Sequence, residues 1–213
     1  MDSTTGYPDV AVIGSGINKI NEMTLESWRL LNDSEAVVAN LNDSLAIEFL
    51  SDSLDAELYD FSSMYDSEDE NTRHDTYYEI IMTVLELGEE IDGLVSYLSV
   101  GHPSVYSYTP SIVKKVGEEE WGLDVGVFPG VSTADKMFAR LGVDPASNGV
   151  LQYPFSEAMR NELQISERVT FVGWLFGRYP HEGIDSQQVV NYLSGQYSRT
   201  TKVHIARLSK NVF

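Results

Sequence analysis

Residues 10 to 16 read Val10-Ala11-Val12-Ile13-Gly14-Ser15-Gly16. Four apolar residues in a row end in a turn bounded by glycines, the pattern of a buried strand that stops abruptly. Thr24 follows as the N-cap of a helix whose apolar face is expected to be Leu25, Trp28 and Leu31. Ala36-Val37-Val38-Ala39 reads as a second buried strand, and Leu45, Phe49 and Leu50 mark another short helix. Strand then helix, repeated, predicts an α/β fold with a mostly parallel sheet.

The pattern continues outward. Ser62 to Asp75 is polar and acidic, with Asp66, Glu68, Asp69 and Glu70 close together, and reads as a loop. Tyr77, Ile80, Ile81, Val84, Leu85 and Leu87 then fall near helical spacing. Leu94 to Val100 is the next strand and runs into Gly101-His102-Pro103. A helix from about Pro110 to Trp121 leads to the strand Val125-Gly126-Val127-Phe128. Pro129-Gly130-Val131-Ser132 opens a helix through Met137, Phe138 and Leu141. Past Gly142 the pattern changes. Val169 to Phe176 and Val203 to Leu208 read as strands, with a helix from Ser186 to Gln196 between them. The expected division is an N-terminal α/β domain over 1–142 and a smaller C-terminal α+β domain over 143–213.

Composition narrows the function. The 213 residues carry 33 Asp and Glu against 14 Lys and Arg, a net charge of −19. A field of that sign repels nucleic acid and anionic membrane, so neither is an expected partner. Its simplest meaning is a solvated acidic surface. Cysteine is absent, which removes disulfides, thiolate nucleophiles and cysteine-ligated metals. The polar start Met1-Asp2-Ser3-Thr4-Thr5-Gly6 does not read as a secretory signal, and a cytoplasmic location is expected. His74, His102, His181 and His204 lack metal-ligand spacing, and the acidic run lacks the glycine of a calcium loop, so no metal is expected.

Several site types are disfavoured by motif. Lys19 stands where a dinucleotide fingerprint needs its third glycine, and no acidic residue ends the second strand. There is no Gly-Lys-Ser/Thr phosphate loop and no Gly-x-Ser-x-Gly elbow. Gly101-His102-Pro103 is more informative, because open α/β sheets bind ligands beyond the carboxyl ends of their strands. By itself His102 is equally a ligand contact or a loop residue. Arg73 and Tyr77 share one helical face. Taken alone, that pair is more simply a cation–aromatic contact than an activated phenol.

Taken together, these segments resemble the tetrapyrrole-methylase family. The glycine turn followed by "MTLESWRLL", the loop "SVGHPSVY" and the helix start "FPGVSTADKMFARLGVDP" match its motifs in order and spacing. The closer likeness is to the borosin branch, which N-methylates peptide backbones. Gly-His-Pro replaces that family's Gly-Asp-Pro, "RHDTYYEI" is similar to the branch's Arg-x-Asp-Ser-Tyr helix start, and "FVGWLFG" and "VHIARL" resemble its second lobe.

The resemblance implies a two-lobed class III methyltransferase with a cofactor cleft between the lobes. It implies S-adenosylmethionine as cofactor, a homodimer, and a precursor peptide as substrate. Arg73 and Tyr77 match the catalytic pair, and Tyr65 an active-site tyrosine on the preceding loop. Gly14 and Gly16 belong to the opening turn. His102, Val105 and Ser107 match the cofactor loop, Ser132 and Thr133 the contacts after the Pro-Gly turn, and Leu175 and Ala206 the second-lobe lining. Val100 departs from the branch, which commonly has a catalytic tyrosine there. Either Tyr97, Tyr106 or Tyr108 takes its place or the role is dispensable. The fungal enzymes carry their substrate as a C-terminal extension, whereas this chain ends at Phe213. A separate precursor peptide is therefore expected. The related alternatives are a porphyrin or corrin C-methyltransferase and a catalytically silent cofactor- or peptide-binding partner.

Overall fold

A computed structural model describes residues 6–41, 43–62, 70–174, 186–198 and 200–204, with the backbone alone at 70–73 and 186. Its described residues form two compact units, with the break between Lys136 and Met137.

The first unit is built on β1 (Val10–Gly14), β2 (Ala36–Asn40), β3 (Glu57–Asp60), β4 (Val95–Ser99) and β5 (Val125–Phe128). They form one sheet in the order β3-β2-β4-β1-β5, and every pairing is parallel. The uninterrupted apolar runs have a direct cause. β1, β2 and β4 are buried along their whole length because both faces of the sheet are covered. One face packs Val10, Val12, Val38, Val95 and Tyr97 against α3 (Glu70–Glu90) and α4 (Tyr108–Val116). The other packs Ala11, Ile13, Val37, Ala39 and Leu98 against α1 (Leu25–Asn32) and α2 (Ser44–Ser53).

The α/β class expected from the sequence is the one observed, and particular elements differ from expectation. Thr24 does cap α1, accepting the Ser27 N–H at 3.0 Å. The buried face of α1, however, is Ser27, Leu30 and Leu31, while Leu25 is 85 % exposed. Ser27 faces inward because the Pro129 carbonyl lies within 3.4 Å of its hydroxyl, a polar contact that periodicity does not register. In α2 the inward residues are Ala46 and Leu50, with Leu45 turned to solvent. The long helix starts at Glu70, inside the segment read as a loop. Its first turns hold no apolar residue to mark a period, and Glu70 suits a helix N-terminus. β3 escaped the sequence reading because it is an edge strand with exposed ends, Glu57 and Asp60. The helix expected from Pro110 begins at Tyr108. It passes at Gly117–Trp121 into a π turn that stops at Gly122 in the left-handed region.

The second unit pairs β6 (Val150–Pro154) with β7 (Thr170–Trp174) in parallel, and β6 was not anticipated. It also holds α6 (Pro145–Asn148), α7 (Phe155–Arg160) and α8 (Ser186–Gln196), and α5 (Thr133–Leu141) spans the break between units. Phe155 is its aromatic hub, edge-on to Tyr192 at 6.0 Å and 6.4 Å from Phe171. Tyr192 donates to the Leu163 carbonyl at 2.8 Å, tying α8 to the loop after α7. The strand expected over 203–208 is not seen at Val203 and His204, and the rest of it lies outside the described residues. No helix among the described residues is long and apolar enough to cross a membrane.

The burial of α1 separates two leucines that the sequence alone treated alike. Leu31→Ala is expected to cost roughly 2–5 kcal/mol, and Leu25→Ser to stay within about 0.5 kcal/mol of the parent. Urea unfolding of both variants checks this.

Candidate functional site

All five strands run the same way, so their following loops gather at one edge of the sheet, where open α/β folds take ligands. Three of those loops meet at glycines. A Cβ on Gly14 would come 2.5 Å from the Gly101 carbonyl oxygen and 2.6 Å from the Gly130 nitrogen. A Cβ on Gly130 would come 2.5 Å from the Gly14 oxygen and 2.6 Å from that of Gly101. These are backbone atoms, which cannot swing aside. The turns are then stitched by hydrogen bonds. Gly16 and Gly101 exchange N–H···O bonds at 3.1 and 3.0 Å, and the Ser15 N–H donates to the Ser99 carbonyl at 2.8 Å. Gly14 and Gly16, expected beside the cofactor, are thus shown fixing how loops pack.

Glu22, which the sequence reading passed over, closes this arrangement. It lies in the 3-10 turn Lys19–Glu22. One carboxylate oxygen accepts the Ile17 and Asn18 N–H groups at 2.9 and 2.8 Å, and the other accepts from Lys136 at 2.7 Å. Burial pushes the Glu22 carboxyl up. Hydrogen bonds from Lys136 and from the Asn18 and Ile17 backbone, with the Lys136 charge, outweigh this and leave it below the usual carboxylate range. The only cue in the sequence was Glu22 itself. Its partner Lys136 is distant in sequence.

Ser132 is the N-terminal cap of α5. Its hydroxyl donates to the Asp135 carboxylate at 2.6 Å and accepts the Asp135 N–H at 3.1 Å, while its own N–H donates to that carboxylate at 2.8 Å. This is a reciprocal capping box with Asp in place of the usual Glu. The Ser132 hydroxyl and backbone N–H hold Asp135 below its ordinary value. Burial opposes them, and the nearby His102 ring adds to the lowering. Ser132, expected as a cofactor contact, has its hydroxyl engaged in this cap. Thr133 begins the helix and is half-buried.

The loop after β4 is folded on itself. His102 Nδ1 accepts the Ser104 N–H at 3.0 Å, and the His102 carbonyl accepts the Val105 N–H at 3.0 Å. In a neutral ring that leaves Nε2 as the N–H donor, a tautomer assigned from the hydrogen bonds. Tyr106 sits at φ 52°, a left-handed conformation that costs a non-glycine residue roughly 1–2 kcal/mol. Ser107 precedes α4, with its hydroxyl 3.5 Å from that of Ser99. An open groove of about 390 Å³ adjoins this loop, lined by Pro103, Ser104, Tyr106, Ser107, Pro110 and Lys114 among others.

Tyr77 reaches the same place from α3. Its ring centroid lies 5.8 Å from that of Tyr108, tilted by 40°. Motifs distant in sequence are therefore adjacent, because a helix entering a parallel sheet from β3 must start at the carboxyl edge. Arg73 lies one turn earlier in α3, and its side chain is outside the described residues. Tyr65, Leu175 and Ala206 also lie outside them. Of the tyrosines weighed against Val100, Tyr97 is fully buried, Tyr106 is in the strained turn, and Tyr108 is exposed beside Tyr77.

An all-parallel sheet with its Gly-His-Pro and Pro-Gly-Val-Ser turns side by side defines an open α/β domain with its loops gathered at the carboxyl edge. Residues 9–171 match the model of the Tetrapyrrole (Corrin/Porphyrin) Methylases, and the chain belongs to that family. It is similar to the methyltransferase/ribosomally synthesized type II borosin cyclic peptide precursor pgiMA1 of Phlebiopsis gigantea. The identity is 26 % over 179 residues, covering 83 % of this chain and 31 % of that protein. It is also similar to the methyltransferase/ribosomally synthesized cyclic peptide dendrothelin A precursor dbihMA of Dendrothele bispora. There the identity is 30 % over 169 residues, 78 % of this chain and 39 % of that one. The chain thus spans well under half the length of these curated relatives. Its fold is shared with the crystal structure of a cobalamin synthesis related protein (CobF) from Corynebacterium diphtheriae. That match has a TM-score of 0.56 and 18 % identity, and it covers 83 % of this chain and 76 % of that one.

The glycine junction and the cap each make a prediction. Gly14→Ala is expected to cost roughly 4 kcal/mol or more, because backbone fills the space of its Cβ. Gly122→Ala meets open space and is expected to cost roughly 1–2 kcal/mol for its left-handed φ alone. Thermal unfolding of the two ranks them. Asp135→Asn is expected to lose about 1 kcal/mol at neutral pH. Because the folded-state value of Asp135 is depressed, its contribution is present above the ordinary carboxylate range and lost as pH falls through the lowered value. The gap between parent and variant should therefore narrow in acid, as urea unfolding at a series of pH values would show.

Proposed function

We propose that this chain is an S-adenosylmethionine-dependent methyltransferase acting on backbone amides of a precursor peptide. The observation that carries this reading is the meeting of Tyr77 with the start of α4, beside the 102–107 loop. Family membership supports methyl transfer, and the names of the curated relatives support a peptide substrate.

The residues present suit such a cofactor. The loop offers the His102 Nε2–H and the Ser107 hydroxyl, and Val105 supplies apolar surface. When bound, S-adenosylmethionine supplies an electrophilic methyl on a sulfonium. Everything else falls to the protein. An amide nitrogen is a poor nucleophile, because its lone pair is shared with the carbonyl. Its N–H must be weakened while charge on the oxygen is stabilised. Tyr77 is assigned the general base, taking the amide proton on its oxygen after its own proton has passed to solvent. Arg73, one helical turn away, is assigned the stabilisation of the imidate oxygen. The family resemblance also implies a homodimer, which light scattering after size exclusion checks.

The test is calorimetric titration with S-adenosylmethionine, followed by mass spectrometry of a separately encoded precursor peptide co-expressed with the chain. Methyl mass gain localised to backbone nitrogen is the expected result. Tyr77→Phe and Arg73→Ala are each expected to lower methylation by roughly 10²–10⁴-fold, with cofactor affinity nearly unchanged. Cofactor binding with no methyl gain on any peptide would overturn the peptide reading and leave a tetrapyrrole C-methyltransferase or a silent binding partner.

A further inference from the structure

We infer that Tyr97 is a positioning residue, whose hydroxyl ties the first turn of α4, and with it Ser107 and the Tyr77–Tyr108 pair, to the last rung of the sheet. The inference rests on the proposed function only where activity is the readout.

Tyr97 is fully buried on β4, within the apolar cluster that α3 and α4 cover. A phenylalanine would serve packing alone. The hydroxyl instead lies 2.5 Å from Thr109 Oγ1, and the polar side chains of Asn40 and Ser99 stand close enough to influence it. All three residues are themselves buried. Asn40 and Ser99 are the final residues of β2 and β4 and face each other in register. The polar cluster therefore sits at the carboxyl edge, directly before the 101–107 loop, and Ser99 approaches Ser107 across it.

Two features of α4 explain why its start needs this anchor. Its N-cap, Ser107, makes no side-chain capping bond, so the first-turn N–H groups lack that local acceptor. The residue before the cap, Tyr106, is held in the left-handed region. A helix start that lacks its local cap and follows a strained turn must be held from elsewhere. Thr109, the second residue of α4, is where the sheet holds it. Tyr108, beside Thr109, is the residue on which Tyr77 packs. Burial pushes the Tyr97 phenol up, and the neighbouring Tyr77 adds to the rise. Being fully buried, Tyr97 offers no surface to a substrate, and its place in the site is that of a hydrogen-bonding anchor.

The experiment compares Tyr97→Phe, Thr109→Val, their double variant and Thr109→Ser by amide hydrogen exchange on the full chain, with S-adenosylmethionine affinity and methylation rate measured in parallel. Exchange over residues 107–112 is expected to rise about tenfold in both disruptive singles, while β1 and β4 stay protected. The double variant is expected to add little, because both changes remove one bond. Thr109→Ser should restore parent behaviour. Cofactor affinity and methylation are expected to weaken together with that exchange. Val84→Ala, which opens the same core away from the hydroxyl cluster, should lower thermal stability without singling out α4. Unchanged exchange at 107–112, or acceleration spread evenly over the core, would overturn the inference. The exchange result stands even if the parent chain methylates nothing. If Tyr97→Phe does not fold, the Thr109 pair carries the comparison.

Discussion

The close approach of three backbones at Gly14, Gly101 and Gly130 is the constraint on which the rest of the site depends. Each glycine ends or follows a different strand, and each occupies space that a Cβ of its neighbours would need. Their contact brings the Gly-His-Pro loop, the opening turn and the Pro-Gly-Val-Ser helix start to one place. Without that approach the motifs would be three separate strand-end turns. With it, the paired N–H···O bonds of Gly16 and Gly101 become possible, and the loops form a single surface.

Charge is used sparingly around that surface. In a chain of net charge −19, a cation among carboxylates is scarce. Lys136 is placed on Glu22, whose other carboxylate oxygen already gathers two backbone N–H groups. Lys19 is paired with Asp43, which also caps α2. In both cases one carboxylate serves a loop or a helix end and a cation at once. Exposed ion pairs contribute little by themselves, but the half-buried Glu22 also satisfies backbone donors that would otherwise lack partners.

Hydroxyl groups do the corresponding work beneath the surface. Tyr97, Thr109, Asn40, Ser99 and Ser107 make a polar layer between an apolar core and the loop above it. Among the described residues no buried side-chain nitrogen or oxygen lacks a partner. A fully satisfied layer of this kind favours one arrangement of the helix start over others of similar packing. That arrangement sets where Tyr108 stands relative to Tyr77.

Much of the fold was legible in the sequence because it rests on local chemistry. Val10 to Ile13 and Ala36 to Ala39 are uninterrupted apolar runs, and only strands covered on both faces need them. Thr24 reads as a cap because its hydroxyl acts on a residue three positions away. The opening glycine turn with its helix, the Gly-His-Pro loop and the Pro-Gly-Val-Ser helix start, in their order and spacing, likewise carried the resemblance to the family that the chain belongs to. What the sequence could not convey depends on distance through space. Ser27 faces the core because Pro129 comes to it, and β3 and β6 lack the alternation that would reveal them. Glu22 matters through Lys136, and Tyr97 through Thr109. Tyr77 meets Tyr108 at the start of α4 because a parallel sheet starts its connecting helices at the carboxyl edge. Composition and spacing determined which elements form. Tertiary structure alone decided which side chains share a site, because hydrogen bonds and steric exclusion act over ångströms and take no account of separation along the chain.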